Sequence, residues 1–371
     1  MKSYIEDIMY DRRSDVISLP LRFVLRILSI LYNIAVTLRN SLYDKRRIFK
    51  VMDVPCRVVS VGNLTIGGTG KTPVVIMTVN QLKSAGYTVA VVSRGYKRKG
   101  REPLVVSDGD SIVSTPVEAG DEPYIIASET GVPVVVGTDR YEAAELAFRR
   151  FKPEVIVLDD GFQHRHLYRN VDIITIDAGN PYGNELLLPR GVLRESPRGL
   201  SRAKAVVITR YDDSLRRDSI ERRVRYYDRN VPIFWSNHVP KALRLPLSDT
   251  DRDIETIRGK KIAALSNIAQ PSSFHQTLVS LGAEIVKVIS MTDHHRYNER
   301  ELEQIERDII NAGTDMVVMT AKDERNLPDS YRFKTIKAFV LDIKALLLED
   351  NEKYFKIIEP VKKNMGKNME N

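Results

Sequence analysis

A single cysteine, Cys56, in 371 residues excludes an internal disulfide and any cysteine-rich metal site, and it suits a reducing compartment. Aromatic residues make up only 7% of the chain and no known nucleic-acid-binding motif is present, which argues against a base-stacking surface. In the apolar N-terminal segment the longest uncharged stretch, Ile27 to Leu38, falls short of the roughly 20 residues that cross a bilayer. Acids precede that segment and no small-residue cleavage site follows it, so it does not read as a signal peptide. What the chain does carry is positive charge. A net charge of +8 and a pI near 9.3 point to an anionic partner: nucleic acid, acidic lipid or a phosphorylated substrate. The length allows roughly two domains.

The most informative stretch is Arg57 to Pro73, RVVSVGNLTIGGTGKTP. Its first residues are β-branched and read as a buried strand. Gly67, Gly68 and Gly70 then leave backbone amides bare, Lys71 and Thr72 follow, and Pro73 suits a helix start. Strand, glycine loop and helix in that order form a P-loop, in which amides and a helix N-terminus hold phosphates. Lys71 would reach the β and γ phosphates, and the Thr72 hydroxyl would bind Mg²⁺. Where the general pattern has its first glycine, this chain has Thr65.

Ser18 to Tyr43 predicts a helix with a narrow polar stripe at Arg22, Arg26, Ser29, Asn33, Thr37 and Asn40. Such a helix fits a membrane interface with arginines at the headgroups, the alternative being a helix packed in the core. Apolar runs at Val89–Val92, Pro133–Val136, Asp172–Asp177 and Ala205–Thr209 alternate with helical stretches, which predicts an α/β fold with a mainly parallel sheet covered on both faces. Val155–Leu158 ends in Asp159-Asp160, as in P-loop enzymes where a strand-end aspartate reaches Mg²⁺. His164 and His166 lie just beyond; two histidines beside two aspartates also fit a transition-metal site, although the P-loop already accounts for the aspartates. The expected organisation is an N-terminal amphipathic region over 1–50, a P-loop domain over 51–230, a proline-bearing linker over 231–258, a second smaller α/β domain over 259–345, and a C-terminal segment over 346–371 whose polar end reads as disordered.

Taken together the motifs resemble the tetraacyldisaccharide 4′-kinases, the lipid A 4′-kinases. The matching pieces are VGNLTIGGTGKTP at Val61–Pro73, SRGY at Ser93–Tyr96, GDEP at Gly120–Pro123, LDDGFQH at Leu158–His164, the LPRGVLRE loop, DHH at Asp293–His295 and Lys322-Asp323. They run in the family's order over most of the chain, and Thr65 is what this family has at that position. Lys97 and Arg98 after SRGY, and Ala321 before Lys-Asp, depart from the family's usual glycine and glutamate.

The resemblance implies phosphoryl transfer from ATP with Mg²⁺ to the 4′-hydroxyl of a lipid A disaccharide 1-phosphate precursor, giving lipid IVA. It implies two α/β/α domains joined by a two-stranded linker, a C-terminal segment returning to the first domain, and action at the cytoplasmic face of the inner membrane. In this sequence Gly62, Asn63, Thr65, Gly67, Gly68, Thr69, Gly70, Lys71 and Thr72 would bind the nucleotide, and Thr72, Asp159 and Asp160 the metal. Asp121 would be the base, assisted by His294, while Arg94, Glu122, Arg140, Gln163, Arg194 and Glu195 would face substrate or phosphates. No feature points to an obligate protein partner. Two readings from other classes compete: a P-loop NTPase that binds nucleic acid, against which the low aromatic content counts, and a membrane scaffold, which would need none of the P-loop and acidic residues.

Overall fold

The computed structural model describes residues 2–360 apart from 13–14, 46–48, 97, 99, 213–215, 249, 269–270, 292–294 and 329. His294, Lys97 and the polar tail beyond Pro360 therefore lie outside the described residues. The strands are β1 Arg57–Asn63, β2 Val89–Ser93, β3 Leu104–Asp108, β4 Pro133–Val136, β5 Val155–Asp159, β6 Val171–Asp177, β7 Ala205–Thr209, β8 Ile233–Arg244, β9 Asp251–Arg252, β10 Lys261–Leu265, β11 Glu284–Ile289, β12 Met316–Thr320 and β13 Lys337–Leu347. The helices are α1 Lys2–Met9, α2 Leu19–Asp44, α3 Lys71–Ser84, α4 Pro116–Ala119, α5 Asp121–Thr130, α6 Arg140–Phe151, α7 Arg217–Tyr227, α8 Pro271–Ser280, α9 Glu299–Asn311, α10 Ala321–Glu324 and α11 Asn351–Ile358.

All strands join one sheet in the order β11-β10-β12-β13-β8-β7-β6-β1-β5-β2-β4-β3, with β9 paired to β8. Pairing is parallel except for β3 with β4 and for β8 with β13 and β9. The central strands are buried along their length, as continuous Val and Ile runs require when helices cover both faces. Val74, Val75 and Leu82 of α3 pack on one face with Val59, Val91 and Val157, and Ala143, Ala144 and Ala147 of α6 pack on the other with Val58, Ala90 and Ile156.

The stretch 231–258 contains β8, which pairs in parallel with β7 over Ile233–Trp235 and then antiparallel with β13 over Ser236–Arg244. Arg244 is locked there between Glu324, at 2.6 and 2.5 Å, and Asp342, at 2.7 Å. The chain then returns to the P-loop half: Tyr354 of α11 hydrogen-bonds Thr78 of α3 at 2.7 Å, and Arg57 donates to the Ile357 and Ile358 carbonyls.

Helix α2 leaves Phe23, Ile27, Leu28, Leu31, Ile34 and Leu38 exposed, and buries Leu25, Ser29 and Val36. Part of the polar stripe faces the protein: Ser29 Oγ donates to the Leu187 carbonyl at 2.7 Å, and Asn40 Nδ2 donates to Glu195 at 3.2 Å. Arg26, Asn33 and Thr37 stay exposed. By length and composition this helix could span a membrane, which its uncharged stretch alone could not.

Candidate active site

The glycine loop bridges β1 and α3. Gly70 caps α3 at φ +73°, a left-handed conformation, and a Cβ there would sit 2.9 Å from the His238 ring. Both facts require glycine. Thr65 needs none, because it forms a β-bridge with Leu193 and is buried, while Ile66 N–H donates to the Val192 carbonyl at 2.7 Å. The LPRGVLRE loop is thus bridged to the P-loop at Thr65, where the general pattern has glycine.

Strand ends clamp the loop from behind. Thr69 Oγ1 accepts from Asn63 Nδ2 at 3.0 Å and lies 2.8 Å from Thr175 Oγ1. Thr209 Oγ1 donates to the Thr69 carbonyl at 2.8 Å, and Arg210 donates to the Gly68 carbonyl while pairing with Asp177 at 2.6 Å. Sequence reasoning missed Thr175, Thr209 and Arg210. The only signal was that β6 and β7 end in polar residues, Asp177 and Thr209, at the edge where a parallel sheet binds ligands.

Lys71 Nζ lies 3.7 Å from Asp160 Oδ1, and Arg194 Nη1 lies 2.8 and 2.9 Å from the two Asp160 oxygens. Burial pushes the Asp160 carboxyl up, but Lys71, Arg194 and Arg140 outweigh it and hold it at about 2. Its neighbour behaves in the opposite way. Asp159 is buried, and burial, with Glu122 and Asp160 adding to it, pushes its carboxyl up to about 7. Ser93 Oγ donates to Asp159 Oδ2 at 2.8 Å, whereas the buried Oδ1 has no hydrogen-bond partner among the described residues. A buried oxygen left bare in this way is costly unless a cation or donor meets it.

Gln163 Nε2 donates to the Asn63 carbonyl at 2.8 Å and to Glu195 Oε1 at 3.0 Å, and Arg194 Nη1 reaches Gln163 Oε1 at 3.3 Å. Glu195 is buried and also takes Arg202 at 2.6 Å. Tyr32 of α2 donates to the Arg194 carbonyl at 2.9 Å, so the long helix is fastened directly to this network. Lys71, Asn63, Asp160, Gln163, Arg194 and Glu195 are therefore joined, with Asp159 beside them. Arg140 is buried with Nη1 on the Thr138 carbonyl at 2.9 Å, and its charge acts on both Asp160 and Asp159. Arg94 is exposed at the end of β2.

Asp121 opens α5 and is buried; Arg296 Nη2 approaches its Oδ1 to 3.9 Å. A Cβ on Gly120, at φ +90°, would meet the Tyr96 carbonyl at 3.0 Å, so the GDEP and SRGY loops pack backbone to backbone. A cleft of about 630 Å³ brings Thr72, Pro73 and Glu122 of the P-loop half opposite Phe274, Lys322 and Asp342. A larger groove of about 820 Å³ on the outer side of α3 holds none of Lys71, Thr72, Asp121, Asp159 or Asp160. His164 and His166 do not join the aspartate pair. They lie with Asp139 instead.

The family model for tetraacyldisaccharide-1-P 4′-kinase, LpxK, matches residues 21–361. The chain belongs to this family. It is 44% identical to a tetraacyldisaccharide 4′-kinase of Syntrophus aciditrophicus over 318 residues, covering 83% of this chain and 85% of that one. It is 37% identical to one of Halothermothrix orenii over 337 residues, covering 87% of each. Its fold is similar to a solved structure described as the "apo" form of LpxK from Aquifex aeolicus in complex with ATP, with a TM-score of 0.72 and 32% identity over 91% of this chain and 98% of that one. The activity is that of the family, 4′-phosphorylation of tetraacyldisaccharide 1-phosphate in lipid A biosynthesis.

Proposed function

We propose that the family's reaction runs here with ATP as donor in the cleft between the P-loop half and the β10–β12 half, using the residues joined at Asp160. The observation that carries this reading is the convergence of Lys71 and Arg194 on Asp160, beside the bare buried oxygen of Asp159. The structural neighbour from Aquifex aeolicus is described as holding ATP, which supports the same donor.

Phosphoryl transfer asks the protein for positioning and charge neutralisation more than for covalent chemistry. Lys71 and the loop amides would neutralise the β and γ phosphates, with the clamped carbonyls of Gly68 and Thr69 holding the loop still. The donor set of Thr72, Asp159 and Asp160 is all oxygen, and Asp159 offers an unpaired one, so these residues fit Mg²⁺. When bound, the ion would supply positive charge to the phosphates. The 4′-hydroxyl oxygen attacks the γ phosphorus, the bond to the leaving ADP oxygen breaks, and the hydroxyl proton passes to Asp121, which His294 would orient or share the proton with. Gln163, Arg194 and Glu195 form a rigid wall that orients Asp160, and Arg94, Glu122 and Arg140 would meet substrate or phosphate charge.

The exposed apolar face of α2 would lie in the membrane interface, cytoplasmic side of the inner membrane, where a lipid with four acyl chains resides. Because Tyr32 and Asn40 bond Arg194 and Glu195, docking the helix docks the site. The test is incubation of the purified protein with labelled ATP, Mg²⁺ and tetraacyldisaccharide 1-phosphate. A doubly phosphorylated lipid is expected, and its absence with folded protein overturns the reading.

A further inference from the structure

Asp139, His164 and His166 have no part in the phosphoryl transfer described above. Asp139 caps α6, its Oδ1 accepting the Tyr141 N–H at 2.8 Å. The two histidines stand on the loop that follows β5. His164 Nε2 lies 3.4 Å from Asp139 Oδ1, and His166 Nδ1 lies 3.2 Å from Asp139 Oδ2. One ligand atom from each of the three residues falls within 4.8 Å of the others.

Zinc-class ions bind imidazole nitrogen at about 2.0–2.1 Å and carboxylate oxygen at about 2.0–2.2 Å, so adjacent ligands of a tetrahedral shell stand roughly 3.3–3.5 Å apart. The two nitrogen–oxygen separations, 3.4 and 3.2 Å to the two oxygens of Asp139, lie close to that spacing, so a small rotation of the carboxylate would bring one oxygen to an ion that both nitrogens reach. Side-chain exposures of 21, 34 and 34% for His164, His166 and Asp139 leave a path for an ion and its waters. The protein uses the His164 lone pair weakly: the Arg140 N–H reaches Nε2 only at 3.3 Å, beyond the ordinary range of about 2.7–3.2 Å. Two nearby cations, Arg140 and Arg169, send their charge toward His164, and Arg169 Nη1 donates to the His164 carbonyl at 2.7 Å, but neither guanidinium is held on the ligand atoms. Arg169 is held by both oxygens of Asp172, at 2.8 and 3.1 Å, and the Arg140 guanidinium turns back to the Thr138 carbonyl.

We propose that Asp139, His164 and His166 form a site for one divalent transition-metal ion of the zinc class, with water completing the shell. Two nitrogen donors favour such ions over Mg²⁺, which prefers oxygen, and this separates the site from the all-oxygen set at Thr72, Asp159 and Asp160. His164 offers Nε2 with its proton on Nδ1. His166 offers Nδ1 once its ring proton moves to Nε2, a change between two neutral tautomers that releases no proton. The bound ion ties the start of α6, which carries Arg140, to the loop that carries Gln163.

The experiment titrates Co²⁺ into the nucleotide-free full chain in excess Mg²⁺ and follows visible absorption, for wild type, H166Q and D139N. One Co²⁺ per chain with visible bands that Zn²⁺ displaces is expected in wild type, and at least tenfold weaker binding in both variants. D139N also removes a helix cap and can lose stability for that reason alone. H166Q then decides, together with melting temperature: Zn²⁺ should raise that of wild type and leave that of H166Q unchanged. No visible band at millimolar Co²⁺ in wild type, or wild-type affinity in H166Q, overturns the site.

Discussion

A single nitrogen of Arg194 bridges both carboxylate oxygens of Asp160, at 2.8 and 2.9 Å, and Lys71 Nζ stands 3.7 Å from one of the same oxygens. The two cations share one anion at the mouth of the P-loop. Arg194→Gln should raise the Asp160 carboxyl above about 2 and reduce turnover by roughly 100-fold, the lower end of the range for losing a fixed charge contact. Phosphoryl-transfer assays across Mg²⁺ concentrations check this. Unchanged turnover and metal dependence would remove Arg194 from the site.

Lys71→Ala should fold, since among the described residues its one ion pair is the 3.7 Å approach to Asp160, and should lose roughly two or more orders of magnitude in turnover. Circular dichroism beside the lipid kinase assay distinguishes a folded inactive protein from an unfolded one. A folded variant with near-normal rate contradicts the P-loop role.

Asp121→Asn should lower kcat far more than it weakens ATP binding, because a base acts on the acceptor and not on the nucleotide. Nucleotide affinity measured by calorimetry beside single-turnover rates gives the split. If affinity collapses while turnover per bound ATP persists, Asp121 is a binding residue.

How much of this was legible beforehand depends on how local each signal is. The P-loop, the acid pair and the strands at 57–63, 89–93, 133–136, 155–159 and 205–209 are contiguous Val- and Ile-rich or motif-bearing runs, and they stand where the sequence predicts. The residues of β8 and β13 were not placed from the sequence, although the resemblance implied a two-stranded linker. Pro240, Asn237 and His238 break the apolar pattern of β8, whose ladder with β13 joins residues more than ninety positions apart. The clamps fail to show for the same reason: Thr209 meets Thr69 across 140 residues. Thr175 and Thr209 look in sequence like ordinary strand residues.

The proposed membrane-facing surface of α2 is testable because burial separates its leucines. Leu28 and Leu31 are 44 and 58% exposed, whereas Leu25 is 7% exposed and belongs to the docked side of α2. Replacing Leu28 and Leu31 by glutamate should shift the protein out of the vesicle-bound fraction and leave ATP affinity intact. Leu25→Glu should instead lower the melting temperature. Co-sedimentation of the double variant at wild-type levels would show that α2 is not the anchor.

His238 sets a pH dependence. Burial, with the Arg210 charge adding to it, pushes its ring down to about 3, against about 6.5 in an unfolded chain. The folded state therefore holds a neutral ring, and its contribution is complete above about pH 6.5. As pH falls from there toward 3 the unfolded chain gains a proton that the folded chain refuses, and stability drops by at most about 1.4 kcal/mol per pH unit. Melting curves from pH 7 to 4 should show H238N losing less than wild type. Parallel curves for the two proteins would assign the acid sensitivity to other groups.

His238 also lies in the one strand that belongs to both halves of the sheet. Trp235 is paired with β7 and Ser236 with β13, so no unpaired residue separates the two ladders. A cleft whose walls share an unbroken hydrogen-bonded backbone cannot open like a door on a loose linker. Any change of angle between those walls would have to twist β8. That segment carries the ring that rests against Gly70, so a twist of β8 would press on the glycine loop of the other wall. With ATP bound in the cleft as proposed, nucleotide grip and cleft angle would be coupled through β8, and stiffening the strand should change both together.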